Sequence, residues 1–113
     1  MDIRSEPHKH SLVIRLAGSL DALTADQTQS YIATQFDGGQ RQVLLDLSQV
    51  DFMSSSGVRV LLEMLKKGRR MGGGLRVAAA QAGVEHTLEL SGMLRVLKAY
   101  PSVEEGVRSF ESP

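Results

Sequence analysis

Cysteine is absent from the 113 residues, which excludes disulfides, thiolate zinc sites and a cysteine nucleophile. Proline is scarce, at 3 residues, and with 42% hydrophobic and 23% charged residues the composition reads as globular rather than disordered. A charge surplus is missing too, because 13 basic and 13 acidic residues cancel to a formal net charge of 0. Nucleic acid and anionic membranes both select a basic surplus, so direct nucleic-acid binding is not expected. No apolar run approaches the roughly 18 residues that span a bilayer. The opening Met1-Asp2-Ile3-Arg4-Ser5-Glu6 lacks the apolar core of a secretory signal. Membrane insertion is therefore not expected, and a soluble cytoplasmic domain is. The length suits one domain, residues 1–113. A chain of this size buries about 65% of its unfolded surface and needs no staples.

What is present is organised around Phe52-Met53-Ser54-Ser55-Ser56-Gly57. Three serines separate an apolar strand-like run, Val43 to Leu47 with Val50 and Phe52 behind it, from an amphipathic run that starts at Val58. A strand that turns into a helix through small hydroxyl residues presents unpaired N–H groups at the helix start. Such a place suits an anion, or a serine that becomes one by phosphorylation.

Before that junction, Leu12, Ile14 and Leu16 alternate on a strand over 11–17 that Gly18 closes, and the opening residues could pair with it through a turn over Glu6–His10. His8 and His10 have metal-like spacing but no third ligand, so they read as turn residues. Asp21 to Phe36 reads as a helix, with Thr24 and Gln27 as a capping box and Asp37-Gly38-Gly39 as its exit. The run Val43–Leu47 suits a central strand covered on both faces. Asp46 within it is expected at the strand end, bonding turn backbone, rather than as a catalytic carboxylate.

After the serines, Val58, Leu61, Leu62 and Leu65 share a helix face, with Glu63 and Lys67 spaced to pair and Lys66, Lys67, Arg69 and Arg70 at the end. Cations there complement the helix dipole. Gly72-Gly73-Gly74 follows a helix and precedes a strand over Leu75–Ala80, the reverse of a phosphate loop, so it reads as a helix exit. Gly83 to Ser91 is expected to be a short helix carrying Val84 and Leu88, with Leu90 as a further candidate, and stopping at Gly92. An edge strand is expected over Leu94–Leu97, then a terminal helix through Phe110 capped by Ser102 and Glu105. Strands alternating with helices after an antiparallel start imply an α/β fold with parallel pairing.

Two chemistries fit the serines. A serine hydrolase needs Gly-x-Ser-x-Gly and a base held by an acid. Ser55 has Gly57 two residues after it but Met53 two before it. The late histidine, His86, has only the adjacent Glu85 to orient it, and neighbouring helix residues point about 100° apart. Catalysis is not expected. A phosphorylation switch fits better, because the first acid after the serines is Glu63 and Arg59 lies one turn beyond Ser55. Serines that serve only as caps and turn formers fit equally well.

The run Val43-Leu44-Leu45-Asp46-Leu47-Ser48-Gln49-Val50-Asp51-Phe52-Met53-Ser54-Ser55-Ser56-Gly57-Val58 resembles the signature of the STAS domain family. That family contains the bacterial anti-sigma factor antagonists and the cytoplasmic tails of sulfate transporters. The similarity extends to Gly18-Ser19-Leu20-Asp21, Leu88-Glu89-Leu90-Ser91-Gly92-Met93 and Ser102-Val103-Glu104-Glu105. It implies a mixed sheet of four to five strands flanked by about four helices, no catalysis by the domain itself and no cofactor. It implies Ser55 as phosphoacceptor with Ser56 beside it, and Asp21 as the acid near the site. The contact surface would comprise Asp21, Ser54, Ser56, Gly57 and Arg59. The implied partners are an anti-sigma factor with serine kinase activity, bound in the unphosphorylated state, and a resetting serine phosphatase. Family members without the switch serve as accessory subunits of ABC-type lipid transporters or as signalling scaffolds, the alternative reading. Self-association of two copies stays open. One position departs from the pattern: Ser54 stands where the family has an acid, which removes a like charge from beside a phosphate on Ser55.

Overall fold

Val43, Leu44, Leu45, Asp46 and Leu47 are all buried, and the sheet is built outward from them. The computed structural model describes residues 1–111. The elements run β1 (Asp2–Pro7), β2 (Leu12–Leu20), α1 (Ala25–Asp37), β3 (Gln42–Met53), α2 (Ser55–Arg70), β4 (Gly74–Ala78), α3 (Ala82–Leu90), β5 (Ala99–Tyr100) and α4 (Val103–Arg108). The five strands lie in sequence order, with β1 antiparallel to β2 and β2 to β5 mutually parallel.

One sheet face carries Leu12, Ile14 and Leu16 of β2, Val43, Leu45 and Leu47 of β3, and Leu75 and Val77 of β4. It packs against Ile32 and Phe36 of α1, Val60, Leu61, Met64 and Leu65 of α2, and Val84 and Leu88 of α3. On the other face, Val13, Leu44 and Ala78 meet Val103 and Val107 of α4. The central strand is therefore covered on both sides, as an almost continuous apolar run requires. Among the described residues no helix is long and apolar enough to cross a membrane.

Several local expectations change. β2 runs through Gly18 to Leu20, and β3 continues past Leu47 to Met53. Pairing explains why a period of two did not show it. Arg15 lies opposite Asp46 but Ala17 opposite Gln49, and Gly18 opposite Val50 but Ser19 opposite Phe52. Each step inserts one extra residue in β3, so Leu47, Val50 and Met53 reach the core at spacings of three.

Asp46 is mid-strand rather than at a strand end. Its buried carboxylate accepts from Arg15 Nε at 3.1 Å and from the Ser48 N–H at 3.0 Å, inside the first bulge. The Thr24–Gln27 capping box does not form, and α1 begins at Ala25 rather than Asp21. Tertiary partners outcompete the local ones: Thr24 Oγ1 donates to the Ser19 carbonyl at 2.7 Å and Gln27 Nε2 to the Met1 carbonyl at 2.9 Å.

The segment expected as an edge strand over Leu94–Leu97 instead contains a 3-10 turn, Met93–Arg95, which buries Met93 and Leu97 four residues apart. The edge strand is β5. Lys67 pairs with Asp37 at 2.8 Å and Lys66 with Glu63 at 4.0 Å, in place of the Glu63–Lys67 pair. β4 ends at Ala78 and α4 at Arg108, each two residues short of expectation. The Ser102 cap does form, accepting from the Glu105 N–H at 3.2 Å.

Candidate functional site

β3 delivers the chain to Ser54, the N-cap of α2, in extended backbone at φ −92°, ψ 179°. Its Oγ accepts from the Ser56 N–H at 3.2 Å, and its carbonyl accepts from the Val58 N–H at 3.0 Å. Its own N–H donates to the Leu20 carbonyl at 3.0 Å, tying the start of α2 to the end of β2. The residues Asp21 to Thr24 are thereby held beside the serines.

Ser55 is the first residue of α2 and is exposed, while Ser56 is half-buried. Neither the Ser55 nor the Gly57 N–H has an acceptor among the described residues. The first turn of α2 carries no acid, and its last turn carries Lys67, Arg69 and Arg70. The helix dipole therefore leaves a positive, unneutralised end under Ser55. Arg59 is exposed one turn along and makes no ion pair among the described residues.

Ser54 explains its own departure from the family pattern. Serine and aspartate cap helices about equally well, so the hydroxyl does the structural work of the expected acid without its charge. Asp21 is half-buried and acts as a turn former. Its Oδ1 accepts from the Leu23 N–H at 2.9 Å, and its carbonyl accepts from the N–H groups of Thr24 and Ala25. Nearby, Ser19 Oγ donates to Asp51 Oδ1 at 2.8 Å.

Gly57 is buried, and close approach dictates its identity. A Cβ there would lie 2.6 Å from the Leu20 carbonyl oxygen and 2.8 Å from Met53 Cγ. Gly57→Ala is expected to push α2 off β2 and cost about 1–3 kcal/mol, read as a lower denaturant midpoint at unchanged m-value.

The sequence reading missed two residues of this surface. Leu23 is 95% exposed and Phe52 is 55% exposed, although Phe52 follows the apolar strand run in the sequence. The second bulge of β3 turns Phe52 outward, which no alternation in the sequence signals. No hydrogen bond joins the serines to His86 or Glu85 among the described residues, and both of these lie exposed on α3. No group of three metal-ligating side chains is found among the described residues.

Comparison with known proteins agrees with this geometry. The family model described as STAS domain matches residues 2–106. BtrV of Bordetella bronchiseptica, assigned as an anti-sigma factor antagonist, is 33% identical over 101 residues, covering 89% of this chain and 87% of its own. The anti-sigma F factor antagonist of Paenibacillus polymyxa is 28% identical over 112 residues, covering 98% and 96%. The unphosphorylated anti-sigma factor antagonist SpoIIAA superposes with a TM-score of 0.79 at 23% identity, over 94% of this chain and 93% of that one. The phosphorylated Bacillus form superposes at 0.72, also at 23% identity, over 96% and 98%.

Proposed function

The chain belongs to the STAS domain family, and from that premise we propose that it is an anti-sigma factor antagonist switched by phosphorylation of Ser55. In the unmodified state it binds an anti-sigma factor with serine kinase activity and so frees a sigma factor. The kinase then moves the γ-phosphoryl group of ATP onto Ser55 Oγ, leaving ADP and releasing the hydroxyl proton. A serine phosphatase hydrolyses the ester to restore the binding form. This reading places the protein in the cytoplasm.

The observation that carries the reading is an exposed Ser55 at an α2 start with unused N–H groups and no acid in the first turn. A phosphate there adds a charge of about −1.5 to −2 with donors ready to receive it. Asp21, Ser54, Ser56 and Arg59 surround it as contact residues, and Gly57 contributes by letting α2 seat against Leu20. Both curated relatives are named as antagonists, and the same fold occurs in SpoIIAA in both phosphorylation states.

Incubation with its serine kinase and ATP, followed by mass spectrometry, tests the switch. One phosphate on Ser55, abolished in Ser55→Ala, is expected. No phosphate, or phosphate on Ser54 or Ser56 instead, overturns it.

A further inference from the structure

Large apolar side chains held in water call for a partner, and two of them flank the phosphoacceptor. Leu23 follows the end of β2 and Phe52 precedes the end of β3. The backbone bond from Ser54 to Leu20 joins the two segments, with Leu23 three residues from one end of it and Phe52 two from the other. Ser55 follows directly, so the three side chains share one rim of the sheet.

Both display points are rigid. The Leu23 N–H is held by Asp21 Oδ1 at 2.9 Å, and the next residue is pinned through Thr24 Oγ1 to the Ser19 carbonyl at 2.7 Å. Phe52 is paired in the sheet opposite Ser19 and is aimed outward by the bulge before it. Side chains on an already ordered backbone lose little freedom on docking, which is what binding anchors need.

The charge around them is mainly negative. Residues 19–26 and 49–59 contain Asp21, Asp26 and Asp51 against the single cation Arg59, whereas Lys66, Lys67, Arg69 and Arg70 lie at the far end of α2. A complementary surface is therefore basic at its rim.

We propose that Leu23 and Phe52 are the apolar anchors by which the unmodified protein docks, and that the anti-sigma factor receives them in apolar pockets edged by basic side chains. This deepens the antagonist reading and rests on it. It also supplies the physics of the switch. A phosphate on Ser55 enters the contact beside the apolar anchors, where its bulk and the cost of stripping its water oppose binding and outweigh its attraction to the basic rim.

Titration calorimetry with the purified anti-sigma factor tests the assignment, with thermal unfolding as the control for folding. Leu23→Ala and Phe52→Ala are each expected to weaken binding about tenfold or more, as buried anchors do. Leu90→Ala removes a 74% exposed leucine on α3, outside this rim, and is expected to leave binding unchanged. Phe52→Leu keeps apolar bulk and should recover most of the affinity, which separates anchoring from misfolding. Affinity should also fall as NaCl is raised.

Binding of both alanine variants within about twofold of the unaltered protein overturns the anchors while leaving the antagonist reading intact. A dissociation constant indifferent to salt overturns the basic rim. An unaltered protein that does not bind the anti-sigma factor overturns both. Self-association of the unaltered protein in sedimentation, lost in the two alanine variants, would assign the patch to a second copy and overturn the proposal.

Discussion

Ser55→Asp is expected to weaken binding to the anti-sigma factor by about tenfold or more, equivalent to about 1.4 kcal/mol, while Ser55→Ala stays within about twofold. The two substitutions separate charge from contact. Alanine removes a small exposed hydroxyl and leaves the backbone of α2 as it is. Aspartate adds a charge at the first helical position, beside the exposed Leu23 and Phe52, where docking of those apolar side chains has to strip its water.

Stability moves the other way. A carboxylate at the N-terminus of a helix with no acid in its first turn gains about 0.3–1 kcal/mol from the dipole and the unused N–H groups. Weaker binding by a slightly more stable protein therefore identifies a switch, since a misfolded variant would lose both. Equal binding by Ser55→Asp and Ser55→Ala would remove Ser55 from the switch. Denaturant titration and calorimetry on the same samples read the two quantities.

Gly73→Ala is expected to be the most damaging single methyl group, costing about 3 kcal/mol or more and lowering Tm by more than about 10 °C. A Cβ at Gly73 would lie 1.7 Å from the Arg41 carbonyl oxygen and 2.5 Å from its carbonyl carbon. Both are backbone atoms, so no side-chain rotation relieves the overlap. The crossing is also hydrogen-bonded on each side, from the Gly73 N–H to the Gly68 carbonyl and from the Gly74 N–H to the Arg41 carbonyl, both at 2.8 Å. Separating the strands to admit the methyl group would break the Gly74 bond at the point where β4 enters the sheet. Gly83 gives the control. It lies in the first turn of α3 with open space around it, so Gly83→Ala is expected to be neutral or to stabilise by about 0.5–1 kcal/mol.

The amino-acid sequence by itself determined the α/β class, the central strand and the helix that follows the serines. Each of these rests on local chemistry. Val43–Leu47 is apolar throughout, Ser54 is a capping residue beside a glycine, and Val58, Leu61 and Leu65 repeat at helical spacing. The STAS signature falls in the same stretch. Tertiary structure alone decided how this stretch meets the rest of the chain. Whether Asp46 ends a strand or sits buried within one depends on Arg15, 31 residues away. The outward turn of Phe52 depends on bulges defined only against β2. Thr24 and Gln27 make a capping box in isolation, yet here they bond Ser19 and Met1. Gly57 and Gly73 look like ordinary turn formers until Leu20 and Arg41 arrive against them. In each case the deciding partner is distant in the chain, and a periodicity or capping pattern carries only what neighbours within a few residues impose.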